Sequence, residues 1–164
     1  MSSPATDTLR LRIAGSADAE ALVRLINAAF LVERFFIEGD RINSETVHRM
    51  MATGQFLIAH HGDAISACVY LEGRGDRAYL GLLSVDPSQQ RNRLGSRLVA
   101  AAEDLARSSG CRDMDLRIVN LREELPEFYR RLGYSVTSTS PFSPEVITKQ
   151  PCHFINMTKS LAPI

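Results

Sequence analysis

The stretch Leu83-Ser84-Val85-Asp86-Pro87-Ser88-Gln89-Gln90-Arg91-Asn92-Arg93-Leu94-Gly95-Ser96-Arg97-Leu98 decides the fold. Its first residues end a mostly apolar run over 78–85, which reads as a strand buried on both faces and closed by Pro87. Its last residues open a helix. Leu94, Leu98, Ala101, Ala102, Leu105 and Ala106 fall on one stripe, with Arg97, Glu103, Asp104 and Arg107 elsewhere around it and Gly110 as the stop. The next apolar segment, 114–119, reads as another strand, so the helix crosses between two parallel strands. A loop opening directly into a helix leaves backbone N–H groups free and adds roughly half a unit of positive charge from the dipole. Arg91, Arg93 and Arg97 bring full charges to the same place, which suits a pyrophosphate. An ordinary helix start with solvated arginines fits these residues too.

Outward from this stretch the chain keeps alternating between strand and helix. Residues 8–13 alternate apolar and polar positions as a half-buried strand does, with Leu9, Leu11 and Ile13 on one side. Ser16 offers an N-cap to a helix carrying Leu22, Leu25, Ile26 and Phe30, which continues or bends through 31–40 and ends at Gly39. Residues 44–51 form a second short helix stopped at Gly54, and strands 55–60 and 64–71 flank a tight turn at His61-Gly62-Asp63. Downstream, Pro126 opens a helix with Phe128 and Leu132, Gly133 ends it, and 134–139 and 153–157 read as closing strands. The order β α α β β β α β α β β predicts an α/β or α+β sheet with helices on both faces, in one domain over 1–164.

Composition bounds the function. The chain has 164 residues, 45% of them hydrophobic and 23% charged, with 19 basic and 19 acidic side chains. No net field points to nucleic acid or to a membrane surface as partner. No apolar run approaches the roughly 18 residues of a membrane span, and residues 1–6 lack the apolar core of a signal peptide. Cys68, Cys111 and Cys152 are odd in number and widely spaced, without a CxxC pair, so neither a disulfide framework nor a metal site is expected. Reduced thiols in a cytoplasmic protein are the expectation.

Two motifs resemble those of the GNAT superfamily of acetyl-CoA-dependent N-acetyltransferases. That family carries Arg/Gln-x-x-Gly-x-Gly/Ala after a Val-x-Pro strand end, and here Val85-Asp86-Pro87 is followed by Gln90-Arg91-Asn92-Arg93-Leu94-Gly95. The middle glycine of the pattern is Arg93, whose side chain must point away from the phosphates or become a ligand itself. The second motif is Phe128-Tyr129 followed by Gly133-Tyr134, the family's aromatic-Tyr pair with its spacing to Gly and an aromatic residue. The family's Asn usually stands about seven residues before that Tyr, whereas Asn120 stands nine before it. Together the motifs cover about a third of the chain.

The resemblance implies a mixed, mainly antiparallel central sheet splayed at a parallel strand pair, with helices on both faces. It implies acetyl-CoA as co-substrate, wedged between strands 78–85 and 114–119, with its pyrophosphate on residues 90–96: Gln90, Arg91, Asn92, Arg93, Leu94, Gly95 and Ser96. Leu83, Ser84 and Val85 would hold the pantetheine arm through their backbone and polarise the thioester carbonyl, and Asn120 would contact the same arm. Amide formation from a thioester needs a neutral amine, a donor for the developing oxyanion and a proton for the leaving thiolate. Tyr129 takes the role of proton donor by resemblance, its ordinary pKa of about 10 suiting a thiolate; a Tyr packed in the core is the other reading. Glu33 is the candidate base, with Glu38, Glu72 and Asp76 as further options, and His60, His61 and His153 read as surface or packing residues. Phe30, Phe35 and Phe36 read as core and pocket wall. The acceptor is then a small-molecule amine or a peptide N-terminus, and dimers are common in the superfamily. Two other functions remain open: a non-catalytic acyl-CoA sensor of the same fold, motivated by Arg93, and a nucleotide binder of unrelated α/β architecture.

Overall fold

A computed structural model describes residues 9–89 and 93–162. It holds seven strands and four α-helices: β1 (Leu9–Ile13), α1 (Ala19–Ala29), α2 (Ser44–Thr53), β2 (Gln55–His61), β3 (Ala64–Arg74), β4 (Arg77–Val85), α3 (Leu94–Ser108), β5 (Asp113–Val119), α4 (Leu125–Arg131), β6 (Ser135–Pro141) and β7 (His153–Ser160). The strands form one sheet in the order β1-β2-β3-β4-β5-β7-β6. Only β4 and β5 run parallel, and α3 is the crossover between them, as the period of the sequence predicts.

Strand alternation sorts the core to two faces. In β2, Leu57 and Ala59 join Val69, Leu80 and Met114 under Leu94, Leu98, Val99 and Ala102 of α3. The intervening Phe56 and Ile58 join Cys68 and Tyr70 under Leu22, Leu25 and Ile26 of α1 and Val47 of α2. Each fully buried Leu, Ile or Phe contributes roughly 1.5–3 kcal/mol, so both helical layers are held by apolar burial. Among the described residues no helix is long and apolar enough to cross a membrane.

Local chemistry moves several element ends. Ser16 does not cap α1. Asp18 instead accepts from the Gly15 N–H at 2.8 Å and binds the Arg12 guanidinium through both oxygens, so a 3-10 turn over Ser16–Asp18 precedes a helix that begins at Ala19. After Ala29 the chain tightens into a second 3-10 turn, Phe30–Glu33, before turning outward. Asn43 caps α2 by accepting from the Thr46 N–H at 2.9 Å. A Cβ at Gly54 would lie 2.5 Å from the Tyr70 hydroxyl, so the strand after α2 starts where only glycine fits.

The run 78–85 is not buried on both faces throughout. β4 pairs with β5 only at Arg77↔Asp113, Ala78↔Met114 and Tyr79↔Asp115, after which the two strands part. Arg77 closes the base of this split, its guanidinium lying 2.6 Å from Asp115 Oδ1 and 3.2 Å from Asp113 Oδ2. On its other edge β4 bulges. Tyr70 pairs with Gly81 and Cys68 with Ser84, which leaves Leu82 and Leu83 opposite Val69, with Leu82 at φ 52.

Candidate active site

The bulge and the split act on the same four residues. Ser84, buried, donates its hydroxyl to the Leu82 carbonyl at 2.9 Å and so holds the left-handed turn of the bulge. Its side chain is thus committed to the strand. Asp86 donates its N–H to the Ser66 carbonyl at 2.8 Å. By strand alternation the backbone of Ser84 also faces β3, while the N–H and C=O groups of Leu83 and Val85 face the gap that β5 has left. Unpaired donors and acceptors on an apolar strand end can bind an amide-bearing chain or an oxyanion.

The start of α3 lies beside that strand end. Gln90, Arg91 and Asn92 fall outside the described residues. Arg93 is exposed and holds φ 56 and ψ 37, so an arginine follows the left-handed path that favours glycine. Leu94 is buried, Ser96 is half-buried, and the open side of Gly95 faces Phe128, Leu83 and Val85, where a Cβ would meet each at 3.5–3.8 Å. Three elements thus meet at Gly95, namely α3, the end of β4 and α4, at distances that leave ordinary contact room for a Cβ.

Tyr129 reaches the site from α4, whose first turn carries Pro126. Its ring meets Phe128 and Tyr134 edge-on, with centroids 4.9 and 5.8 Å away, and only 6% of the residue is exposed. The Tyr129 hydroxyl has no hydrogen-bond partner among the described residues. Burial pushes its pKa above the ordinary tyrosine value, and the nearby Arg122 charge pulls the other way. Tyr134 is the anchor: its hydroxyl donates to Glu103 Oε2 at 2.8 Å, and Lys159 meets the other oxygen of Glu103 at 2.9 Å.

Across the sheet a second cleft opens under the 3-10 turn after α1. Glu33, 5% exposed, accepts from Arg122 Nη1 at 2.9 Å through Oε2, and its other oxygen has no partner among the described residues. Burial raises the Glu33 pKa, while Arg122 opposes that rise. Asn27, Phe30, Ile37 and Arg41 line the same hollow. The segment between β6 and β7 straps its rim, with Lys149 N–H donating to the Phe36 carbonyl at 2.7 Å and Lys149 Nζ to the Arg34 carbonyl at 2.9 Å. Phe36 is core, packed with Ile37, Val119 and Phe154, Phe30 is wall, and Phe35 is exposed.

The other sequence candidates go elsewhere. Asn120 accepts from the His153 N–H at 2.8 Å, which commits its Oδ1 to fastening the end of β5 to β7. Glu72 binds Tyr70 and Arg74, and His60 and His61 make short-range hydrogen bonds in the β2–β3 hairpin. No cluster of His, Cys, Asp and Glu suited to a metal occurs among the described residues. Sequence reasoning missed Leu82, Tyr79 and Arg122. Gly81 inside a strand was the available signal for the bulge, and its missing side chain leaves room for Tyr79, whose ring carbon would stand 3.0 Å from a Cβ there.

Solved structures share this architecture. The Salmonella typhimurium protein yncA, solved with its cofactor acetyl-CoA, superposes with a TM-score of 0.73 at 18% identity, over 95% of each chain. The ribosomal-protein-S18-alanine N-acetyltransferase of Escherichia coli gives 0.78 at 16% identity over 96% of each chain. The ribosomal-protein-alanine N-acetyltransferase of Brucella melitensis gives 0.76 at 15%, covering 92% of this chain and 99% of that one. No curated protein matches the sequence. The model of the acetyltransferase (GNAT) family matches residues 20–134, a span that runs from α1 through the split strands to Tyr134, and the chain belongs to that family.

Proposed function

We propose that this chain transfers an acetyl group from acetyl-CoA to a primary amine by direct attack, with no acyl-enzyme intermediate. The observation that carries this reading is the parting of β4 and β5 after Tyr79↔Asp115, which turns the backbone of Leu83 and Val85 toward an open gap beside the start of α3. The residues there suit acetyl-CoA. Arg93 keeps the left-handed backbone path, Arg93 and Arg97 are exposed cations, and Gly95 brings the helix start against the strand end. The relative yncA was solved with acetyl-CoA, which agrees with this use of the fold.

In this mechanism the Leu83 and Val85 backbone binds the pantetheine amides and polarises the thioester carbonyl. Glu33 accepts the proton of the attacking ammonium, directly or through one water, and its raised pKa makes it a better acceptor than an exposed carboxylate. The amine nitrogen bonds to the carbonyl carbon, the C–S bond breaks, and the departing thiolate takes the Tyr129 proton. The nitrogen, still carrying one proton too many for an amide, gives it up to water, which restores the Tyr129 hydroxyl, and Glu33 releases its own proton to solvent. The Asn120 amide NH2 has no hydrogen-bond partner among the described residues and would donate to the pantetheine arm. The reading places the enzyme in the cytoplasm, where acetyl-CoA is made and where free thiols such as Cys68, Cys111 and Cys152 persist.

The test is release of free coenzyme A from acetyl-CoA with and without a panel of primary amines, together with calorimetry of acetyl-CoA and ATP. Amine-dependent thiol release supports the enzyme. Tight acetyl-CoA binding with no amine-dependent release would make the protein a sensor, and binding of ATP alone would make it a nucleotide binder.

A further inference from the structure

Tyr79 stands where the split in the sheet begins. It is the last residue of β4 to pair with β5, at Tyr79↔Asp115, and its side chain packs against the core under α1 and α2, as those of Phe30 and Leu82 do. The ring runs along the strand and over Gly81, where a Cβ would stand 3.0 Å from Cε1, 3.3 Å from Oη and 3.4 Å from Cζ. Gly81 is outside the left-handed region, so its backbone does not call for glycine, and the ring is what excludes a side chain there. Arg74 stacks on the same ring with its Cζ 4.3 Å from the centroid. Glu72 in turn holds Arg74 while accepting from the Tyr70 hydroxyl at 2.8 Å. Neighbours on β3 and β4 thus fix the pose. The hydroxyl at its tip makes no hydrogen bond with any described residue, and it reaches solvent. Phenylalanine would keep the stacking and the packing, so neither accounts for the oxygen.

That oxygen stands at the level of Gly81, two residues before Leu83, whose backbone faces the gap. The two tyrosines of the split serve opposite faces of the sheet: Tyr129 belongs to the core under α3 and Tyr79 to the core under α1 and α2. A charge on Tyr79 would raise the Tyr129 pKa further, so the two phenols are within electrostatic reach of each other. With Tyr129 serving the departing thiolate from one face, the nucleophile comes to the thioester carbonyl from the other. A primary amine that has given up its ammonium proton points its lone pair at the carbonyl carbon and keeps two N–H groups. A phenol oxygen accepts one of them. We propose that the Tyr79 hydroxyl binds the acceptor's amino nitrogen, accepting an N–H from it and so aiming its lone pair at the thioester carbon. This rests on the acetyl-transfer reading above and adds to it a contact on the nucleophile. Tyr79 keeps its own proton throughout, so the proton path through Glu33 and Tyr129 is unchanged.

The test is Tyr79→Phe in the full chain. Turnover is measured with a primary amine that the wild type acetylates, across pH, beside calorimetry of acetyl-CoA and thermal unfolding. The hydroxyl touches only the nucleophile, so kcat/KM for the amine should fall roughly tenfold, the cost of one hydrogen bond that orients a reactant. The Kd for acetyl-CoA, the melting temperature and the position of the acid limb should all stay at their wild-type values. A purely structural role would instead lower the melting temperature or weaken acetyl-CoA together with the loss of turnover, and either result would overturn the inference. A shifted acid limb would put Tyr79 in the proton path and overturn it as well. Wild-type kcat/KM for the amine in Tyr79→Phe would overturn it while leaving acetyl transfer standing. If the wild type acetylates no amine, the acetyl-transfer reading fails, and the role of Tyr79 falls with it.

Discussion

Arg122 Nη1 lies 2.9 Å from Glu33 Oε2, joining the turn after α1 to the loop between β5 and α4 across 89 residues of chain. The same guanidinium meets Glu124 through Nε at 2.5 Å, so one arginine fixes both the candidate base and the segment that leads into the Tyr129 helix. Both partners of the inner pair are largely buried, with side chains 17% and 7% exposed. Removing the cation strands a desolvated carboxylate, so Arg122→Ala should cost about 3–5 kcal/mol of stability in denaturant unfolding.

The pH behaviour of Glu33 follows from the direction of its shift. Burial raises its folded-state pKa above the unfolded value, so the folded protein holds this proton more tightly. The resulting contribution to stability is complete below the unfolded pKa and is lost as pH rises through the folded one. As a base it works only when ionised, so turnover should fall on the acid side at a pH above the ordinary carboxylate range. Glu33→Gln keeps an acceptor for Arg122 and should lower kcat on the order of a hundredfold while abolishing that acid limb. An unchanged limb in Glu33→Gln would assign the base elsewhere.

Arg93 pays for a glycine's backbone with a side chain. At φ 56 a non-glycine residue is strained by roughly 1–2 kcal/mol, part of which the greater freedom of glycine in the unfolded chain offsets. Arg93→Gly should therefore raise stability by about 0.5–1 kcal/mol, whereas Arg93→Ala keeps the strain. Both remove an exposed cation from the start of α3, so both should weaken acetyl-CoA binding several-fold at low salt, with the difference shrinking as ionic strength rises. Calorimetry at two salt concentrations, set beside thermal unfolding, checks both halves. Tighter binding by Arg93→Gly would mean that the arginine obstructs the cofactor.

The repeating periods made the sheet and its helices legible. Phe56, Leu57, Ile58 and Ala59 are all apolar, yet their alternation between two cores emerges from pairing with β3 and could only be expected in outline. Gly95 was legible as a motif position, but its neighbours were not. Its bare side faces Leu83, Val85 and Phe128, where a single Cβ makes ordinary contacts and only a larger side chain presses on the packing. The acceptor side was nearly illegible. Glu33 and Arg122 are brought together by tertiary folding over a long separation, and no local spacing marks such a pair. Asn120 illustrates the reverse case: a motif position was visible, while the hydrogen bond to His153 that occupies its oxygen depends on where β7 lies.

Tyr129 offers the sharpest test of the chemistry. Its ring is enclosed by Phe128 and Tyr134, while its hydroxyl makes no hydrogen bond with any described residue. Tyr129→Phe therefore removes an oxygen without stranding a protein partner, and folding stability near neutral pH and acetyl-CoA affinity should change by less than about 1 kcal/mol. Turnover with a good acceptor should fall on the order of tenfold or more if protonation of the thiolate limits the rate. Because burial raises the phenol pKa, the wild-type enzyme should show no alkaline loss of turnover from this group near the ordinary tyrosine value of about 10. The same shift has a signature in stability. A folded-state pKa above the unfolded one gives a contribution that is complete below the unfolded value and is lost as pH rises toward the folded one, so wild type should lose stability in alkali that Tyr129→Phe retains. Wild-type turnover in the variant would make Tyr129 a packing residue, and the thiolate would then depart protonated by water.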